Sequence, residues 1–223
     1  IWIATEDGLN RYDGAKFTVY RNEKGNPHSL LNDYVRTLYE DRQGRFFIGS
    51  LNGLQIYDRA TDSFTTIPMY LSSGAPIAPN IATILERNNG EILIGTSGHS
   101  MFLLETRGDS IKARQISRFI SSNLVTYAYE DRKENLWIAT GDNGIFRFDK
   151  NNQSKHYSGE KDIAKNTVSS MCEDQQGNLY MSSLKKGLFI YNDKTDMFIP
   201  LTYTPNPCLL YTSPSPRDTE RSR

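Results

Sequence analysis

The sequence predicts an all-β chain of repeated, radially stacked sheets. Three observations carry that prediction: a motif that recurs five times, four short strand-like runs in each interval, and no segment of ten or more residues with helical periodicity. The motif reads IWIATEDGLNRYD from Ile1, FFIGSLNGLQIYD from Phe46, ILIGTSGHSMFLL from Ile92, LWIATGDNGIFRFD from Leu136 and LYMSSLKKGLFIYN from Leu179. Successive copies start 45, 46, 44 and 43 residues apart, a narrower spread than chance similarity gives. Each copy but the first follows a second shared element: YVRTLYEDRQGR, IATILERNNGE, VTYAYEDRKEN and VSSMCEDQQGN.

Within one interval the runs are rich in β-branched and aromatic residues and end at Gly, Asn or Asp, as strands do. In the second copy they fall at 34–40, 46–50, 54–58 and 63–67. The turn between the first two, Asp41 to Gly44, ends on a glycine able to take the positive φ that closes a hairpin, and Asp174 and Gly177 repeat the arrangement in the fifth copy. A unit of about 40–45 residues holding four strands is the signature of a β-propeller blade. The fold class is therefore a propeller fragment of about five four-stranded blades, the first without its opening strand, forming an open arc of a larger ring if seven blades complete it. A meander that is apolar on both faces must stack on its neighbours. The large residues Trp2, Phe47, Leu93, Trp137 and Tyr180, second in each motif, are thus expected between blades, in preference to forming a sugar-stacking platform.

Charge narrows the function. Lys plus Arg (26) equals Asp plus Glu (26), which leaves no basic footprint for nucleic acid or an anionic bilayer. A mean hydropathy of −0.58 accompanies the lack of any ~18-residue apolar run, so no span or direct membrane contact is expected. Two cysteines, Cys172 and Cys208, are too few for a disulfide framework and lack CxxC spacing. The chain opens at Ile1 inside a strand-like run, as a fragment would. Residues 1–207 are assigned to the partial propeller. Residues 208–223, CLLYTSPSPRDTERSR, share nothing with the repeat and resemble translated sequencing-adapter read-through, a Pro/Ser linker being the alternative; disorder is expected of either.

Catalysis finds little support. The pairs Glu40-Asp41, Glu130-Asp131 and Glu173-Asp174 are adjacent in a strand, so their side chains point to opposite faces, and their recurrence at one repeat position assigns them to turn closure. His28, His99 and His156 stand far apart without a metal-binding spacing, and no metal or cofactor is expected. The GTSGHS stretch at 95–100 lacks the second glycine of a nucleophile elbow. Lys185-Lys186 reads as a solvated basic step.

Topology is more informative. In a four-stranded antiparallel blade the first-to-second and third-to-fourth turns share one end, while the second-to-third loops and the crossings to the next blade share the other. The first set is short and regular. The second is longer and varied: crossings at Arg21–Asp33, Pro68–Asn80 and Lys155–Asn166, and loops at Thr5–Gly8, Ser50–Gly53, Thr96–Ser100, Thr140–Gly144 and Ser183–Gly187. Irregular loops on a rigid scaffold are where binding residues sit. The candidate ligand contacts are accordingly His28, Asn52, His99, Asp142, Asn143 and Lys185.

The combined motif, V-x-x-x-x-E-D-x-x-G-x-L-W-I-x-T-x-x-G-L-x-x-Y-D, resembles the two-component regulator propeller repeat. The resemblance runs from residue 1 to about 205. The fourth copy fits it through Val125, Glu130, Asp131, Leu136, Trp137, Ile138, Thr140, Gly144, Phe148 and Asp149, with Glu134 in place of the turn glycine. The third fits least, with Arg87 for the Asp, Leu93 for the Trp and Ser100 for the Gly. The resemblance implies the periplasmic sensor region of a hybrid two-component receptor, of the kind abundant in gut Bacteroidetes, that responds to glycan breakdown products and binds its ligand without transforming it. It further implies a second propeller, a small β-domain, a membrane helix and a histidine kinase elsewhere in the receptor, an oligosaccharide as ligand, and room for a homodimer. The competing classes are a periplasmic propeller lyase or hydrolase and a protein-interaction scaffold.

Overall fold

The computed structural model describes residues 1–108, 110–120, 122–158 and 168–201. Every regular element among them is a strand, and the strands form five sheets. The first sheet holds β1 (Trp2–Thr5), β2 (Gly8–Tyr12) and β3 (Phe17–Tyr20); the second holds β4 (Val35–Glu40), β5 (Phe46–Ser50), β6 (Gly53–Asp58) and β7 (Ser63–Ile67). A short hairpin, β8 (Met69–Tyr70) and β9 (Pro76–Ile77), precedes the third sheet, β10 (Asn80–Glu86), β11 (Ile92–Ser97), β12 (Met101–Arg107) and β13 (Ser110–Ile116). The fourth holds β14 (Val125–Glu130), β15 (Leu136–Thr140), β16 (Ile145–Phe148) and β17 (Ser154–Tyr157), and the fifth β18 (Val168–Glu173), β19 (Leu179–Ser183), β20 (Gly187–Asn192) and β21 (Met197–Pro200). Each is an antiparallel meander whose first strand packs against the first strand of the next, β4 to β10, β10 to β14 and β14 to β18. This is the stacking of propeller blades, and the first sheet lacks its opening strand as expected.

Two expectations are corrected. The crossing at Pro68–Asn80 is not an irregular loop: β8 and β9 extend the third sheet beyond β13, with β8 running parallel to it. Residues 155–157 of the supposed crossing at Lys155–Asn166 lie within β17, where they pair with β16, and 159–167 lie outside the described residues. The tail at 208–223 and Cys208 also lie outside them; Cys172 is an exposed free thiol.

The core is a series of seams between sheets. Phe47, Leu93 and Trp137 are fully buried, so these second-position residues pack between sheets. Trp137 faces Tyr191 and Phe198 of the fifth sheet with ring centroids 4.9 and 5.6 Å away, and its indole N–H donates to Asp131 Oδ2 at 2.8 Å. One position after the central apolar residue of the second and third motifs, the second strand comes too near its neighbours to admit a side chain. A Cβ added at Gly49 would lie 2.5 Å from Thr37 Cγ2 and 2.6 Å from Ile81 Cγ2, and one at Gly95 would lie 2.6 Å from both Thr83 Cγ2 and Val125 Cγ1.

The turn end is built from the Glu-Asp pairs, each member with its own task. Asp41, Asp131 and Asp174 close their turns, each Oδ1 accepting the backbone N–H groups two and four residues on at 2.8–3.0 Å. In the third, fourth and fifth sheets the glutamate that ends the first strand reaches back to the previous sheet, whereas Glu40 of the second pairs with Arg59 of its own sheet at 2.9 Å. Glu86 accepts Arg42 N–H and Glu173 accepts Arg132 N–H, both at 2.9 Å, and Glu130 takes Asn88 N–H. Arg87, in the Asp position of the third copy, pairs with Glu130 at 2.8 Å and with Glu91 at 3.4 Å.

Two seams carry a further polar cluster that the repeat motif does not reveal. Arg11 donates to Tyr57 and Asp62, and Tyr20 and Tyr57 also donate to Asp62. At the fourth seam Arg147, Tyr157, Tyr191 and Lys155 converge on Asp196 in the same way. Burial pushes the Asp196 carboxyl up, but hydrogen bonds from Lys155, Tyr191 and Tyr157 and the charge of Arg147 outweigh it and hold the group at about 2. Burial and the Asp196 hydrogen bond drive the Tyr191 hydroxyl the other way, to about 12.

Three outcomes follow from this packing. Trp137→Ala lowers stability by about 3–5 kcal/mol, read by denaturant unfolding, because the seam cannot collapse onto the void. Glu134 holds φ 63 where Gly44 and Gly177 stand in sister turns; Glu134→Gly therefore raises stability by roughly 0.5–1 kcal/mol as αL strain is relieved. Because the native Asp196 value lies below the ordinary 3.8, its contribution is complete above about pH 4 and is lost as pH falls toward about 2. Asp196→Asn lowers the melting midpoint at neutral pH and flattens its decline across that acid window, followed by circular dichroism.

Candidate functional site

The loop end of the sheets is built on one recurring device. The hydroxyl that closes each second strand donates across its loop: Thr5 to Gly8 O at 2.7 Å, Ser50 to Gly53 O at 3.2 Å, Thr96 to Ser100 O at 2.8 Å and Thr140 to Gly144 O at 2.9 Å. The same oxygens, with Ser183 in the fifth sheet, accept the backbone N–H of Asp7, Asn52, His99, Asn143 and Lys185 at 3.0–3.4 Å. Local Ser/Thr turns thus tie down one residue of each loop, two places after the hydroxyl in the first, second and fifth sheets and three places after it in the third and fourth. The varied side chains sit on loops of four or five residues closed in the same manner.

Four of the predicted contacts, Asn52, His99, Asn143 and Lys185, are among those residues. Asp142, beside Asn143, is exposed and accepts the Ser122 hydroxyl at 2.6 Å. His28 stands apart, its carbonyl accepting Phe64 N–H at 2.9 Å on the outer strand β7, toward the turn end. Asp7, absent from the prediction, completes the set and is held by Arg21 at 2.6 Å; the hydrogen bond and then the charge of that guanidinium keep its carboxyl below the ordinary value. His156 is also drawn to this end, its Nε2 2.5 Å from Asn143 O and its ring stacked 4.1 Å from that of Phe146. Among the described residues no three His, Cys, Asp or Glu side chains form a metal-holding group.

Two cavities open here. One, of about 370 Å³, lies between the second sheet and the β8–β9 hairpin, lined by Leu31, Leu54, Ile67, Met69 and Ile77 with Asn52 at its rim. The other, of about 300 Å³, is formed where four first strands meet, and Arg36, Ala82, Thr126 and Ser169 line it together with Tyr127 and Leu184. Those first four residues share an origin. Each of β4, β10, β14 and β18 carries a β-bulge, between Val35 and Thr37, Ile81 and Thr83, Val125 and Tyr127, and Val168 and Ser170. A bulge re-aims the extra residue, and here all four extra residues turn into the same space.

The signal for this inner cavity was present in the sequence and escaped the prediction. The seam residues on the first strands are Val35 and Leu38, Ile81 and Ile84, Val125 and Ala128, and Val168 and Met171. Their spacing is three, where an unbroken strand puts same-face residues two or four apart. An odd spacing repeated in four copies marks a bulge.

The family model of the two component regulator propeller matches residues 29–52 and 162–185, so the chain carries this repeat. No curated protein matches the sequence. Among solved structures, the extracellular domain of a hybrid two component system from B. thetaiotaomicron is 23% identical with a TM-score of 0.70, over 92% of this chain and 27% of that one. The extracellular domain of a one component system from the same organism is 18% identical with a TM-score of 0.74, over 92% of this chain and 30% of that one. A virginiamycin B lyase from Staphylococcus aureus is 12% identical with a TM-score of 0.62, over 90% of this chain and 64% of that one. The chain thus spans less than a third of the two extracellular domains, and the likeness shows a shared β-propeller fold.

Proposed function

We propose, from the two-component regulator propeller repeat that the chain carries, that it is a ligand-sensing part of the extracytoplasmic region of a hybrid two-component receptor, lying in the periplasm and binding oligosaccharide products of glycan breakdown without turnover. The observation that carries this is the conjunction of that repeat at 29–52 and 162–185 with a propeller whose loop end presents one variable residue per sheet. Hydroxyl-rich ligands need many directional partners, and Asn52, His99, Asp142, Asn143 and Lys185 offer donors and acceptors at fixed spacing. Support for a longer receptor comes from the outward faces of the end sheets. Ile3, Phe17 and Val19 on the first and Leu188, Met197 and Ile199 on the fifth stay exposed, opposite the sides that form seams, and further sheets of the receptor would cover them.

A lyase is the second reading, favoured by the likeness to virginiamycin B lyase over 90% of this chain. Calorimetric titration with a panel of glycan fragments, with chromatography of the products, separates the two. Binding without new products is expected, and cleavage of any fragment moves the protein to the enzyme class. Changing Asn52, Asp142 and Asn143 together to Ala weakens binding about tenfold or more with the melting midpoint preserved. Loss of affinity on changing Arg42 and Gln43 at the turn end, with the triple variant unaffected, would overturn the choice of surface.

A further inference from the structure

The inner cavity at the four bulges has a chemical character distinct from the loops around it. Arg36 is exposed on its wall, and one nitrogen of its guanidinium, Nη1, donates to two neutral acceptors, Asn80 Oδ1 at 2.9 Å and Ser97 Oγ at 3.3 Å. No carboxylate of the described residues lies within ion-pair distance of it, and no acidic residue lines the cavity. A guanidinium has five N–H donors in a planar fork that fits a carboxylate, so most of its capacity faces open space. The Thr126 hydroxyl, of another residue that lines the cavity, is buried and finds no hydrogen-bond partner among the described residues. Buried polar groups are nearly always satisfied, and an exception calls for a role. Ser169 adds a second hydroxyl, which shares a 2.6 Å hydrogen bond with Ser182.

The remaining wall sets size and shape. Ala82 leaves room where its sister positions carry larger side chains, and Leu184 and the half-buried Tyr127 supply apolar surface. A volume of about 300 Å³ is at the lower limit of small-molecule sites, suited to one ring. A cation without an ion-pair partner among the described residues, one unsatisfied hydroxyl, a second hydroxyl and an apolar flank complement a polyol ring that bears a negative charge.

We propose that the four β-bulges form a binding site for a carboxylate-bearing sugar unit, with Arg36 as the carboxylate anchor and Thr126 and Ser169 as hydroxyl partners. This deepens the sensing function and rests on it. The bulges explain why the site exists: regular strands would direct these four residues into the seams. One charged position among three small ones gives the ligand a single orientation. The loop residues Asn52 and Asn143 lie outside this cavity, so the two sets can be tested separately.

The test is an NMR titration of the chain with D-glucuronate, D-glucose and acetate at low ionic strength. Glucuronate is expected to bind at least tenfold tighter than either glucose or acetate. Arg36→Met removes that preference, Arg36→Lys retains part of it, and Thr126→Val weakens glucuronate binding several-fold. Ala82→Phe, which fills the cavity, abolishes binding, and the melting midpoint of each variant establishes that it is folded. Absence of glucuronate binding, equal affinity for glucose, or a preference indifferent to Arg36→Met would each overturn the site. If neutral glycan fragments bind and are lost only with the Asn52, Asp142 and Asn143 variant, sensing by the loops stands and the inner site falls.

Discussion

Burial of the second-strand side chain in the seam between sheets is the constraint on which the rest of this structure depends. A four-stranded meander with apolar residues on both faces gains little by folding alone, since half its hydrophobic surface would stay in water. Phe47, Leu93 and Trp137 remove that surface by entering the seam completely. For this to happen the inner strands must approach closely, and only Gly49 and Gly95, or an alanine such as Ala139 in the fourth copy, leave space for the β-branched residues of the neighbouring sheet. Aromatic bulk and its small neighbour two positions on are therefore one device: the first fills the seam and the second lets it close.

The two ends of the stack then diverge in character for a physical reason. At the turn end of the fourth and fifth sheets an aspartate satisfies two backbone N–H groups of its own turn while the glutamate before it accepts one from the adjacent sheet. These bonds fix both the turn and the relative position of neighbouring sheets, and they require those residue types. At the loop end the fixing is done by a backbone-directed hydroxyl, Thr5, Ser50, Thr96, Thr140 or Ser183, which binds the main chain of a loop residue and not its side chain. One end spends its side chains on structure, and the other leaves them free for ligands.

What the sequence disclosed and what it concealed divide along the same line. Strand boundaries, the incomplete first sheet, the buried second position of the three middle copies and the turn aspartates were legible because each depends on a local pattern repeated in register, while Trp2 and Tyr180 in the end sheets are only partly buried. The β8–β9 hairpin was not: Met69–Tyr70 and Pro76–Ile77 are two-residue strands that exist only because β13 offers an edge. The clusters at Asp62 and Asp196 were hidden because they occur at two seams, and their members lie up to 51 residues apart. His28 read as a loop-end residue by position in the crossing, but the chain between Arg21 and Asp33 runs down the outer edge of the second sheet, where Phe64 N–H captures its carbonyl. Four of the six proposed contacts, Asn52, His99, Asn143 and Lys185, fall in the loops that the closing Ser or Thr ties down, two or three places after it. Arg36 and Thr126 were hidden because a bulge breaks the pairing register of β4 and β14 and re-aims them, a change that no single copy of the repeat discloses.

The bulges join these themes. Each lies near the loop end of a first strand, at the point where that strand leaves its partner's ladder by one residue. The extra residue costs a rung of pairing, and it is repeated in four sheets at the same level, which a packing accident would not produce. Its effect is to separate two demands on one strand: Val35, Ile81, Val125 and Val168 remain in the seams while Arg36, Ala82, Thr126 and Ser169 are released from them. A molecule held there touches four sheets at once. Because binding to the assembled form alone stabilises it by mass action, such a molecule would resist separation at three seams together, although each contact is made at a single residue.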